Sequence, residues 1–232
     1  MQVPKIKSYL ASYKDWQLSE TGLSYRSYWE TQANWQQHFN LESIDLAHAY
    51  DRALTSQTSR RHYSRRAFEP KAVMIDILRR EPELARATFE DLLREGHTLD
   101  GRLSRFGVYM DELFSRYRES VQGQQVYGDH FHGADHQMPT IYLAMQYPDR
   151  YVPYDTDTLM AVCKKLGARA QPLGADPVRF MKLAKLLDRF VREDERLMRQ
   201  YQNEFLRGED YQQETLLLAW HLMQFIRIEE LV

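Results

Sequence analysis

Apolar residues along this chain recur at three- and four-residue intervals, the spacing of one helical face, and no stretch alternates as a half-buried strand would. Ile6, Leu10 and Tyr13 mark a short first helix. Over residues 27–39 the aromatics Tyr28, Trp35 and Phe39 fall on one side of a second. Asn40 is a capping residue for a helix carrying Leu41, Ile44, Leu46, Ala47, Tyr50 and Leu54. Pro70 and Pro82 each suit a first helical position, where the missing N–H has no partner to lose. The first leads into Val73, Met74, Ile77 and Leu78, the second into Leu84, Ala85, Phe89 and Leu92, with Gly96 as terminator. Residues 99–121 read as one long helix with Leu103, Phe106, Met110, Leu113, Phe114 and Tyr117 inward. A helix over residues 137–147 stops at Pro148. Asp155 or Thr156 caps the next, which turns Leu159, Val162, Cys163 and Leu166 inward and ends at Gly167. Asp176 with Pro177 starts a long helix reaching Phe205, and Asp210 with Gln213 resembles a capping box before the last. Residues 216–226 are apolar nearly all round, which predicts a central, buried helix.

The fold class that follows is all-α, an irregular bundle of about eight to ten helices. A length of 232 residues suits a single helical domain, 1–232, with a Pro/Gly/Ala-rich segment at 168–175 as its expected hinge. Hydrophobic residues make up 43% and charged ones 28%, the balance of a globular chain rather than a disordered one. The net charge of -2 neither demands nor forbids a nucleic-acid partner, so any such site must be a local patch. A single cysteine, Cys163, excludes an internal disulfide and a Cys-rich zinc site, and a reducing, cytoplasmic setting is expected. The amphipathic N-terminus lacks the apolar core of a secretion signal, and no apolar run is long enough to span a bilayer, so no membrane partner is expected.

Three of the eight histidines, His130, His132 and His136, stand with Asp129 and Asp135 within eight positions. Imidazoles and carboxylates together can hold zinc, manganese or iron, or move protons, which would make the chain a metal-dependent hydrolase. The spacing is not the helical HExxH that aims two histidines at one ion. The other reading has Asp135 capping the helix that starts near His136, while His130 and His132 fill gaps between helices. A second cluster, residues 59–71, holds Arg60, Arg61, Arg65, Arg66 and Lys71 against one acid, Glu69, with Tyr63 and Phe68 interleaved. Arginine forks grip phosphates and tyrosine stacks on exposed bases, so the segment reads as a nucleic-acid-binding loop, as a protein-contact loop or as a solvated linker. Tyr142, Tyr147, Tyr151 and Tyr154 flank Pro148 and Pro153 and suit the packing of a helix corner. Phosphate-loop, dinucleotide-binding and serine-hydrolase motifs are absent, and no cofactor is expected.

The segment HFHGADHQMPTIYLAMQYPDRYVPYDTD, residues 130–157, resembles the N-terminal helical regions fused to McrB-like AAA+ ATPases, motors of modification-dependent restriction systems. The matching elements are His130 and His132, Gln137-Met138, Tyr142-Leu143, Tyr147-Pro148, Tyr151, Tyr154-Asp155 and Asp157. A weaker likeness extends to residues 38–54, 105–114 and 211–225. In that family the N-terminal region recognises a target or partner and the motor hydrolyses nucleotide. The motor's nucleotide and magnesium residues have no counterpart here. The resemblance therefore implies a free-standing recognition domain of a prokaryotic defence system, or a piece of a longer ATPase, and it brings no catalytic residue. A non-catalytic adaptor that binds nucleic acid or a nucleoprotein assembly, alongside a separate motor, nuclease or effector protein, is the leading expectation. A pure protein–protein adaptor and the metal-dependent hydrolase are its alternatives.

Overall fold

Proline, capping carboxylates and apolar periodicity set most helix boundaries where the chain pattern places them. The computed structural model describes residues 1–55, 70–121, 128–133, 135–168 and 170–230. Its helices are α1 Val3–Gln17, α2 Glu20–Ser24, α3 Ser27–His38, α4 Leu46–Ala53, α5 Pro70–Arg80 and α6 Pro82–Leu93. They continue with α7 Leu99–Ser120, α8 Gln137–Gln146, α9 Thr156–Lys165, α10 Pro177–Glu193, α11 Glu195–Gln200 and α12 Leu217–Ile228. No strand is present among the described residues, so the all-α class holds. The helices outnumber the eight to ten expected because α2 and α11 span only five and six residues, too short for a periodic signal. No helix among the described residues is long and apolar enough to cross a membrane.

Three boundaries differ from expectation, each for a local reason. The fourth helix starts after Asp45, whose carboxylate accepts the His48 N–H at 2.8 Å, while Asn40 instead closes a turn by accepting the Glu42 N–H. Ile44 is consequently outside the helix and fully exposed. The helix expected to reach Phe205 breaks at Asp194, which leaves helical geometry and caps α11 by accepting the Leu197 N–H. The Asp210–Gln213 capping box does not form. Asp210 is buried, accepts the Arg207 N–H and pairs with Arg26, and α12 begins only after Thr215 has accepted the Leu217 N–H. Gly167, by contrast, closes α9 as expected, with φ +65, a conformation costly for any side chain with a Cβ.

Two hydrophobic cores organise the bundle. The first gathers α1, α9, α10, α11 and α12 around Tyr13, Leu187, Phe205, Leu222 and Phe225. The second gathers α4 to α8 around Tyr50, Ile77, Phe89, Phe106 and Tyr142. Helix α3 serves both, with Trp29 in the first and Trp35 in the second. The middle of the chain is thus inserted between the two ends that build the first core. Segment 168–175, the expected hinge, joins α9 to α10, both of which pack into that same core. Gln32 ties the parts together. Its amide donates to the Ala144 carbonyl at 2.9 Å and its oxygen accepts from Thr215 at 3.0 Å, so this buried side chain has both ends satisfied.

The centre of the first core is polar. His221 is fully buried among Tyr13, Trp16, Tyr25, Trp29 and Phe205. Its Nε2 lies 3.0 Å from the Gly22 carbonyl, an acceptor, so Nε2 carries the proton. Nδ1 is then an acceptor and takes the Tyr13 hydroxyl at 2.7 Å. Burial drives the imidazole pKa down to about 3. Gly22 itself admits no side chain: a Cβ there would lie 2.2 Å from the Trp16 carbonyl oxygen.

Candidate functional site

The histidine segment folds against α7 and α8, with its direction set by one unusual residue. Phe131 adopts φ +60, a left-handed conformation rare for a bulky side chain. The Asp129 carboxylate supports that turn by accepting the Phe131 N–H at 3.0 Å. The turn brings the rings of His130 and His132 to a 6.1 Å separation at a 26° interplanar angle, both directed inward.

Each ring then spends both nitrogens. His130 Nδ1 accepts the His132 backbone N–H at 3.0 Å, which leaves Nε2–H to donate to Asp111 at 3.0 Å. His132 Nδ1 faces the His130 carbonyl and so must donate to it. His132 Nε2 is an acceptor for the Tyr142 hydroxyl at 2.7 Å, and Tyr142 in turn accepts from Tyr50 at 2.7 Å. The chain of bonds Tyr50–Tyr142–His132 pins the loop to the second core. Burial lowers the His132 pKa to about 3, so the ring is a neutral, fixed tautomer at physiological pH. The two histidines are joined through backbone groups, and an amide N–H does not pass a proton on, so they form no relay.

The acids do local work. Asp135 accepts the Gln137 N–H at 3.1 Å, close to the expected capping role, although His136 occupies the cap position with φ +54. His136 is half-buried, its Nδ1 has no hydrogen-bond partner among the described residues, and burial lowers its pKa. Among the described residues no group of three or more His, Cys, Asp or Glu side chains is arranged to hold a metal ion. Asp129, His130 and His132 form one hydrogen-bonded turn that closes the second core, whereas Asp135 and His136 belong to the start of α8. Of the aromatic set, Tyr142 and Tyr154 are buried, Tyr147 donates to the Leu93 carbonyl at 2.7 Å, and Tyr151 accepts from the buried Arg102 at 2.5 Å, the pattern of a packed corner.

Arg60, Arg61, Tyr63, Arg65 and Arg66 lie outside the described residues. Lys71, at the start of α5, is described. Its ammonium donates to the Asp51 carbonyl at 2.8 Å and Thr55 Oγ1 at 2.9 Å and pairs with the Asp51 carboxylate at 2.7 Å. Three contacts match its three N–H groups, so Lys71 ties α5 to the end of α4.

A basic surface that motif reading missed lies on α10. Phe180, Met181, Leu183, Ala184, Leu187 and Val191 point into the first core. Lys182, Lys185 and Arg189 recur at three and four on the opposite, exposed face. None of these three forms an ion pair among the described residues, whereas Arg192, one step further, is held by Asp188 and Glu214. The three charges span roughly 10 Å at 1.5 Å per residue. The i, i+3, i+7 spacing was the available signal, masked in a sequence reading by the hydrophobic pattern it interleaves. No protein-family model, curated protein or solved structure matches the chain.

Proposed function

We propose that the protein is a non-catalytic helical recognition module that binds the phosphate backbone of a nucleic acid or a nucleoprotein assembly. The observation that carries this reading is the stripe Lys182, Lys185 and Arg189 on the solvent face of α10, none of which forms an ion pair among the described residues. Unpaired cations at helical spacing are free to displace the counterions condensed on a phosphate chain, the term that dominates such binding. The arginine-rich segment with Arg60, Arg61, Arg65 and Arg66 adds a second basic element in sequence, and Tyr63 within it would stack on a base. Lys71 anchors the exit of that segment rather than serving as a phosphate contact. The likeness to the recognition regions of McrB-like ATPases favours a role in prokaryotic defence, with the motor, nuclease or effector supplied by another protein or by another part of a longer one.

The test is the salt dependence of binding to labelled single-stranded DNA, single-stranded RNA and duplex DNA, read by fluorescence anisotropy. Each phosphate contact removed flattens the plot of log affinity against log salt by about 0.7 to 0.9. Converting Lys182, Lys185 and Arg189 to alanine should therefore reduce the slope by roughly two units. Converting Arg60, Arg61, Arg65 and Arg66 to alanine should reduce it again. Both variants should melt close to wild type, since exposed substitutions cost within about 0.5 kcal/mol each. An unchanged slope in both would refute the reading, and loss of a protein partner instead would establish a protein–protein adaptor.

A further inference from the structure

Where α10 gives way to α11 and the chain returns before α12, an open cleft of about 450 Å³ enters the first core. A π turn over Tyr201–Phe205 forms one wall, closed by the Leu206 N–H on the Tyr201 carbonyl at 3.0 Å. Such turns widen a helix locally and occur often at functional sites. Met198 and Leu206, both half-buried, supply the cleft with apolar surface over the buried Val191 and Leu218. Its charged groups are Asp188, Arg192 and Glu214, two carboxylates to one guanidinium. Arg192 lies 2.5 Å from Asp188 and 3.3 Å from Glu214. Asp188 is the covered member, its side chain 14% exposed, and burial raises its pKa despite the arginine. Gln212 adds another acceptor, because its N–H groups are spent on the Arg207 and Asp210 carbonyls and its own oxygen faces no donor among the described residues.

The cleft thus carries an excess of acceptors and one uncompensated negative charge beside an apolar lining. Its volume lies within the range of small-ligand sites. We propose that it binds an organic cation, a primary ammonium or guanidinium on a short apolar stem, supplied by a free amine or by a lysine or arginine side chain of a partner. The charged head sits between Asp188 and Glu214, and the stem lies along Met198 and Leu206. Glu214 is the carboxylate that turns readily to an incoming cation: its pair with Arg192, 3.3 Å apart with side chains 68% and 38% exposed, is a surface ion pair that contributes little. The proposal stands independently of phosphate binding, which uses the neighbouring face of α10.

Hexylammonium and its uncharged analogue 1-hexanol, titrated into the full chain by NMR, test it. Hexylammonium should bind saturably with Kd on the order of 1 mM, and hexanol about tenfold more weakly. Glu214→Gln, at a side chain 68% exposed and so without consequence for folding, should weaken hexylammonium about three- to tenfold and leave hexanol unchanged. Asp188→Asn should act in the same direction. N-acetylarginine methylamide separates the sources. Binding as tight as that of hexylammonium points to a partner's side chain, and its exclusion from a cleft that accepts hexylammonium points to a free amine; both uphold the cation site. No saturable hexylammonium binding below about 10 mM, equal binding of hexanol, or unchanged affinity in both variants would overturn it.

Discussion

Acidification from pH 7 to pH 5 should destabilise this fold through two buried histidines, by an amount that the structure determines. His132 and His221 are both fully buried, and both have folded pKa values near 3 against 6.5 when exposed. Between those values the unfolded chain binds more protons than the folded one, so stability is full above pH 6.5 and falls as pH drops toward 3. At pH 5 each ring is nearly all protonated when unfolded and nearly all neutral when folded. The loss from pH 7 is then about 2 kcal/mol per histidine and about 4 kcal/mol for the pair. That result is insensitive to the folded value as long as it stays well below 5. His38 and His136, also lowered, act with the same sign, whereas the raised carboxyls of Asp188 and Asp210 oppose it only nearer their own titration. Urea unfolding at the two pH values measures the difference, and His221→Gln should remove about 2 kcal/mol of it whatever it does to absolute stability. Nitrogen NMR gives an independent reading: His132 should be the Nδ1–H tautomer and His221 the Nε2–H tautomer, both neutral at pH 5.5. Equal stability at pH 7 and pH 5, or an imidazolium spectrum for either ring, would refute the reasoning.

Gly22→Ala should cost at least about 1–3 kcal/mol in urea unfolding, because its Cβ meets backbone, not a movable side chain, and any adjustment displaces the carbonyl that holds His221. Trp220→Ala should be among the most damaging single changes, on the order of 3–5 kcal/mol, since the indole is buried between Tyr25 and Tyr28; a melting temperature equal to wild type would place α12 on the surface. Protein purified without chelator or affinity tag should carry substoichiometric transition metal by elemental analysis, because every ring nitrogen of His130 and His132 is spent on a hydrogen bond. Near-stoichiometric zinc or manganese, lost on replacing His132 and Asp135 with alanine, would instead promote the hydrolase reading.

The helical class and most helix starts follow from local chemistry along the chain. Pro70, Pro82 and Pro177 open helices, Asp155 caps α9, and Gly167 ends it, because each effect acts within one turn and needs no distant partner. The burial of α12 was legible for the same reason, from the all-round apolar run that surrounds His221. The errors came where two local solutions compete. Asn40 and Asp45 can each cap a helix; in the fold Asp45 takes the His48 N–H and starts α4, while Asn40 takes the Glu42 N–H in a turn.

The histidine cluster was legible as a cluster but not as a structure. Its partners Asp111 and Tyr142 lie 19 and 10 residues away, and Tyr50 lies 92 residues from Tyr142; together they decide that the rings are neutral and internally bonded. Only the tertiary structure could pair Tyr13 with His221 across 208 positions, or bring Gln32 against Thr215 across 183. The cleft arises in the same way. Asp188 and Arg192 are helical neighbours, but Glu214 joins them only because α10, α11 and α12 pack on one core. Local chemistry sets where helices begin and end within a few residues. Which buried polar groups meet, and which tautomer each histidine adopts, depends on contacts that exist only once the ends of the chain close around its middle.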